Sequence, residues 1–277
     1  MQRMLKQKIK AQPSRDGDGV KISRIAGQAL SPVLDPFLMI DEIESDSAND
    51  YIGGFPEHPH RGFETITYMK AGRMRHRDHM GNEGVIGPGD VQWMTAGRGV
   101  LHSEMPEQEE GLMHGFQLWL NLPAAEKLKP AAYRDIRASE VSYHQDTNGN
   151  EFRIVAGELE VDGLTLAGPL PDMSTQPFMM DLTVAANQSV QLKLPNYDQV
   201  LVLVYKGDTQ TLACKELGFF GEGETLQLTA RDGGCEALVL AGKALCEPIA
   251  QYGPFVMNHM HEIEQAIRDF QSGRLVG

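Results

Sequence analysis

Short apolar runs that alternate with polar positions recur along the chain, separated by glycine or Asp-Gly turns. "GVIGPGDVQWM", "GFQLWLNLP", "FRIVAGELEV", "SVQLKLP", "QVLVLVYKGD" and "EALVLAGKAL" are of this kind. In such runs every second side chain shares a face, and closely spaced short strands with turn signals predict a sandwich or barrel. Helical spacing is scarce. The clear case is "NHMHEIEQAIRDFQSGRL", where Met260, Ile263, Ile267 and Phe270 form one stripe. Asn258 is placed to cap its start and Gly273 to end it. The expected fold is all-β with a short C-terminal helix.

Two parts of the chain look alike. "GPGDVQWMTAGRG" (87–99) matches "GEGETLQLTARDGG" (221–234), and upstream "TYMKAG", ending at Gly72, matches "LVYKG", ending at Gly207. Two matches in the same order predict a duplication, that is, two similar antiparallel β-barrels. The break is expected in the polar, irregular stretch 131–150, giving domains of residues 1–135 and 136–277.

Composition narrows the function classes. The length of 277 residues is enough to bury a sizeable core. A net charge of −13 argues against a broad nucleic-acid-binding surface. No apolar run reaches about 18 residues, so no membrane span is expected. The basic N-terminal segment has no apolar core or cleavage site and does not read as a secretory signal. Cys214, Cys235 and Cys246 are odd in number and lack C-x-x-C spacing, which fits a reducing compartment and a cytoplasmic location.

The chemistry lies in histidines. In "EHPHRGFETITYMKAG", His58 and His60 share a strand face, and Glu64 and Ile66 join them if the strand runs on unbroken. Pro59 lacks a donor N–H and marks a strand start or edge. Further on, "AGRGVLHSEMPE" repeats the spacing with His102 and Glu104 after a glycine-rich turn. Two same-face pairs on strands that can pair bring imidazoles and a carboxylate to one point. That donor set suits iron, manganese, nickel, copper or zinc. The second copy has Leu192 and Leu194 in "QLKLP" and no histidine in "CEALVLAG", so it is expected to keep the scaffold without the ligands.

Other histidines carry less. His259 and His261 open the predicted helix, where i and i+2 do not face each other, and are expected to be solvated. His76 and His79 fall in a charged segment and are expected to be exposed, and His114 and His144 are isolated. No Gly-x-Ser-x-Gly, P-loop or dinucleotide fingerprint is present.

The runs "HPHRGFETITY", "PGDVQWMTAGRGVLHSE" and "GFQLWLNLP", with the C-terminal "YGPFVMN" and "EIEQAIRDFQSGRL", resemble the signature of the pirin family. The resemblance implies a bicupin, two stacked β-barrels or jelly rolls, with one divalent transition metal in the N-terminal barrel, usually iron(II). Carried over, the ligands would be His58, His60, His102 and Glu104. In cupins at large the carboxylate follows the His-x-His on the same strand, which here is Glu64. The pirin pattern instead uses Glu104 and leaves Glu64 to packing or to a hydrogen bond with a ligand histidine. Pirin-like proteins are associated with oxidative ring opening of flavonols such as quercetin. The resemblance therefore implies a quercetin 2,3-dioxygenase-like enzyme taking a flat flavonol and dioxygen. Glu104 would be its general base, and carbon monoxide and a depside its products. The alternative it implies is a non-catalytic iron-binding regulator that binds a partner protein in a redox-dependent way.

Overall fold

The alternating runs fold as strands in the computed structural model, which describes residues 1–170 and 173–276. The chain opens with β1 (Leu5–Lys10), β2 (Gln12–Asp16), β3 (Val20–Ala26), β4 (Phe37–Ser45) and β5 (Phe55–His60). Then come β6 (Phe63–Ala71), β7 (Met74–Asp78), β8 (Glu83–Ile86), β9 (Val91–Thr95), β10 (Val100–Pro106), β11 (Met113–Asn121) and β12 (Ala132–Ile136). The second half holds β13 (Ser142–Gln145), β14 (Glu151–Ala156), β15 (Glu158–Val161), β16 (Leu164–Ala167), β17 (Phe178–Val184) and β18 (Ser189–Lys193). It continues with β19 (Val200–Thr209), β20 (Glu216–Phe220), β21 (Thr225–Ala241), β22 (Ala250–Tyr252), β23 (Phe255–Met257) and a helix, Met260–Gln271. Among the described residues no helix is long and apolar enough to cross a membrane.

Two compact units result. One joins Gln12–Ala138 to Leu245–Gly277, and the other joins Met1–Ala11 to Ser139–Ala244. The later unit takes residues 1–11 from the start of the chain, and the earlier one takes residues 245–277 from its end. β1 pairs antiparallel with β20, from Leu5 opposite Phe220 to Lys10 opposite Glu216. It thereby closes a sheet edge whose N–H and C=O groups would otherwise lie open. Arg3 fixes this end. Its buried guanidinium donates to the carbonyls of Leu194 (2.6 Å), Gly221 (2.7 Å) and Tyr197. At the other end, Ile263 and Ala266 of the helix pack with Ala250, Phe255, Met257 and Leu275.

The duplication is visible in strand order. The first unit runs β12-β9-β6-β11-β4-β3-β2, and the second runs β1-β20-β19-β21-β17-β14-β13. Position for position, β6 answers to β19, as the "TYMKAG" and "LVYKG" match requires. β9 answers to β20, and the late part of β21 to β11. The glycine-turn match therefore slips by one strand: "GEGETLQLTA" leads into the early part of β21, which pairs with β18 as β10 pairs with β5. The slip has a cause. The first unit inserts the hairpin β7–β8 between β6 and β9, whereas the second crosses from β19 to β20 over residues 210–215. On the strands that answer to β5 and β10, Val190, Leu192, Leu226 and Leu228 are buried in an apolar core. Hydrocarbon fills the place where the first unit keeps histidines.

The helix cap differs from expectation. His259 is the N-cap residue, and Glu262 Oε2 accepts from the backbone N–H of His259 (2.8 Å) and of Asn258 (3.1 Å). The Asn258 amide is committed to Glu247 and the Pro248 carbonyl. Met260 and Phe270 are exposed, so the buried stripe is Ile263 and Ala266. His259 and His261 are solvated, as expected.

Candidate metal centre

β5 and β10 pair antiparallel, with His58 opposite His102 and His60 opposite Val100. Cross-strand partners project to the same side, so three imidazoles meet. One nitrogen from each of His58, His60 and His102 falls in a group whose members all lie within 4.8 Å of one another. The Nε2 atoms of His58 and His60 are 3.0 Å apart. His58 Nδ1 lies 2.8 Å from the Pro56 carbonyl, so it carries the ring proton and Nε2 keeps a lone pair. His102 Nε2 is buried and has no hydrogen-bond partner. Burial, and then the neighbouring imidazoles, hold His60 and His102 well below the usual histidine range, so both are neutral near pH 7. Three clustered imidazoles, with the buried His102 Nε2 left without a hydrogen-bond partner, fit a transition-metal ion.

A bulge between His102 and Glu104 re-aims β10, and Glu104 pairs with Phe55. Glu104 is buried and lines the same cavity as His58 and His60. It stands outside the 4.8 Å group, with Oε1 2.7 Å from the Thr67 hydroxyl. That hydroxyl is also 2.8 Å from Gln117 Oε1. Its single proton serves the carboxylate, so the Gln117 amide is best assigned with its nitrogen toward Thr67.

Glu64 does not share the histidine face. The strand breaks after His60: Gly62 has φ +89°, and a Cβ there would lie 1.9 Å from the Val256 carbonyl oxygen. Parity resets at β6, where Phe63 meets the His60 ring (5.0 Å between centroids) and Thr67 meets Glu104. Glu64 turns the other way and accepts from the Thr95 hydroxyl at 2.6 Å. Burial raises its pKa, while Thr95 and Lys129, at 3.9 Å, oppose the rise.

His58 and His60 line a cavity of about 600 Å³ walled by Met39, Phe55 and Trp119, with Gln117 and Gln251 among its polar groups. Residues 251–254 come from the far end of the chain, and no motif there marks them as part of a site. They are clamped beside it. The Arg61 N–H donates to the Pro254 carbonyl (3.3 Å), the Val256 N–H to the Arg61 carbonyl (3.0 Å), and Arg61 Nη1 to Asp269 (2.8 Å).

Lys127 ties the same parts together. Its buried ammonium donates to the Gly62 carbonyl (2.8 Å), Asn121 Oδ1 (2.7 Å) and the Val256 carbonyl (3.0 Å). Burial lowers its pKa to about 8, with Glu247 and Glu262 pulling partly back. Between pH 8 and the ordinary 10.5 the unfolded chain holds a proton that the folded chain has released. Stability from this group therefore rises with pH across that window, by about 3 kcal/mol in all. Cys235, pushed up to about 11, works in the opposite direction above pH 9. The check is thus the difference between parent and Lys127→Met in denaturant midpoints from pH 7.5 to 10.5. A pH-independent difference would contradict the assignment.

Two expectations about histidines are corrected. His76 is fully buried on β7 beside His102, not exposed. His114 is not isolated: its Nε2 lies 3.0 Å from Glu42 Oε1, and with Glu42 and Glu44 it forms a second close group of ligand-type atoms. That group uses the face of β4 opposite Met39, Asp41 and Ile43, which line the cavity. His144, also paired, lies 2.9 Å from Asp162. His79 is exposed, as expected.

A barrel built twice, with an imidazole trio in one copy only, defines a bicupin with a single-barrel candidate metal centre. Comparison gives the family. The Pirin family model matches residues 19–120, and the Pirin C-terminal cupin domain model matches residues 179–276. The chain is 45% identical to a Vibrio cholerae protein provisionally named quercetin 2,3-dioxygenase, over 98% of this chain and 97% of that one. It is similar to a crystal structure of quercetin 2,3-dioxygenase from Acinetobacter baumannii, with TM-score 0.90, 33% identity and 99% of each chain covered. A nickel(II) complex of the bacterial pirin YhhW from Escherichia coli shares the fold, with TM-score 0.64 and 18% identity over 85% of this chain and 97% of that one. The chain belongs to the pirin family.

Proposed function

We propose that this protein is a metal-dependent dioxygenase of the pirin type that opens the central ring of flavonols such as quercetin. The observation that carries the reading is the cluster of three imidazoles, two of which, His58 and His60, line a cavity with Trp119, Phe55 and Met39 in its walls. Apolar walls with a few convergent polar groups suit a flat aromatic ligand. Relatives named for quercetin 2,3-dioxygenase activity support it.

His58, His60 and His102 would hold a divalent ion, iron(II) on the family resemblance, with Glu104 as a fourth ligand. When bound, such an ion supplies Lewis acidity toward an ionised hydroxyl and one-electron chemistry with dioxygen. The chain's own residues do the rest. Glu104 takes the proton of the flavonol hydroxyl as general base, and Thr67 holds the carboxylate in place through the 2.7 Å hydrogen bond. Trp119, which packs on Phe63 at 4.3 Å between centroids and against His60, fixes one wall and excludes water. The overall change consumes one flavonol and one dioxygen and yields a depside and carbon monoxide.

Iron(II)-loaded protein mixed with quercetin in air is expected to bleach the flavonol absorbance with matching oxygen uptake. Glu104→Gln should lower turnover by about 100-fold or more, the usual scale for loss of a general base. It should still retain metal through the three histidines. No turnover above that of free iron, with the site demonstrably filled, would sink the reading.

A further inference from the structure

On β7 the side chains alternate: Met74, His76 and Asp78 face inward while Arg75 and Arg77 face out, where they pair with Glu83. Register sets His76 across from Glu104 and Asp78 across from His102. His76 is fully buried, and its Nδ1 lies 3.4 Å from His102 Nδ1. Its ring also stacks on Tyr133, 4.6 Å between centroids at 24°. Beyond it, Asp78 Oδ2 stands 3.6 Å from His76 Nε2. Asp78 is fixed by the N–H groups of Met80 and Asn82 and by the Asn82 amide.

Two imidazole nitrogens facing each other can share one proton. If His102 gives Nε2 to a metal, its proton sits on Nδ1 and points at His76. His76 must then accept at Nδ1 and carry its own proton on Nε2, toward the Asp78 carboxylate. Metal-bound histidines generally donate their second N–H to a carboxylate or carbonyl, which orients the ring and raises its basicity. Here a second imidazole stands in that place, with the carboxylate one step further back.

We infer that His76, backed by Asp78, is the positioning residue for the metal ligand His102, fixing its tautomer and ring orientation through the Nδ1 to Nδ1 hydrogen bond. This role rests on His102 being a metal ligand and not on the identity of the substrate. Two substitutions separate it from a packing role. His76→Phe keeps the aromatic stack on Tyr133 and removes the acceptor. His76→Asn loses the stack but can put an amide oxygen where Nδ1 stood.

The test is calorimetric titration of the metal-free full chain with nickel(II) chloride, alongside thermal melting of each metal-free variant. His76→Phe should weaken nickel binding about 10- to 100-fold, the scale for loss of such an outer partner, and His76→Asn should recover most of it. The visible bands of the cobalt(II)-loaded protein should shift in His76→Phe and return in His76→Asn. Equal nickel affinity in parent and His76→Phe, or no recovery in His76→Asn, overturns the inference while leaving the metal site intact. A parent that binds no nickel overturns both. A measurement without variants serves should His76→Phe not fold. Long-range proton–nitrogen spectra of the zinc-loaded parent should show His102 protonated at Nδ1 and His76 at Nε2, and a His76 protonated at Nδ1 overturns the inference.

Discussion

Replacing His102 with alanine is expected to abolish stoichiometric metal binding. Titrated with nickel(II) or iron(II), the parent should fill one site, and His102→Ala should bind at least roughly 100-fold more weakly, since even outer-partner losses reach 10- to 100-fold. The substitution leaves the Nε2 atoms of His58 and His60 facing each other at 3.0 Å with no third nitrogen. Glu64→Gln is the matched control. Its carboxylate is buried to a similar degree but points toward Thr95, so metal affinity should not change. A parent-like His102→Ala, or a Glu64→Gln that loses the metal, would assign the site to the other carboxylate face and undo the geometry argued above.

The second large effect is structural. Arg3→Met should destabilise the second unit by about 3 kcal/mol, because removing a buried charged donor leaves several acceptors unsatisfied. The carbonyls of Leu194, Gly221 and Tyr197 lose their shared partner at once. Lysine should not rescue, since one compact ammonium cannot reproduce the fork of donors that meets three carbonyls. Both tryptophans, Trp93 and Trp119, lie in the first unit. The readout is therefore far-ultraviolet circular dichroism against denaturant. A shift in stability below about 1 kcal/mol would show that β1 is held by its ladder with β20 alone.

Much of the fold and of the candidate metal centre is legible in the amino-acid sequence. Period-two runs report the strands because one face of each is buried, and the two spaced pairs report the site because cross-strand partners share a face. The rest is hidden for local reasons. Counting through Gly62 puts Glu64 on the histidine side, but the positive φ of that glycine resets the count. Arg75 and Arg77 make the segment around His76 read as a solvated loop. Only the period of Met74, His76 and Asp78 betrays a buried face. The glycine-turn repeat slips because an inserted hairpin changes which strand follows the turn. The partners of β1 and of residues 250–257 cannot be read at all, since pairing at long separation leaves no mark on either segment alone.

The exchange of chain ends has a consequence for synthesis. The first unit's own strands finish near residue 138, yet Pro254, Val256 and Asp269, which brace Arg61 and Gly62 beside the histidines, belong to residues 245–277. At ordinary elongation rates the intervening stretch takes on the order of ten seconds to emerge from the ribosome. Throughout that interval the part of the cavity wall supplied by residues 251–254 is missing, and the contacts of Arg61 with Pro254, Val256 and Asp269 cannot form.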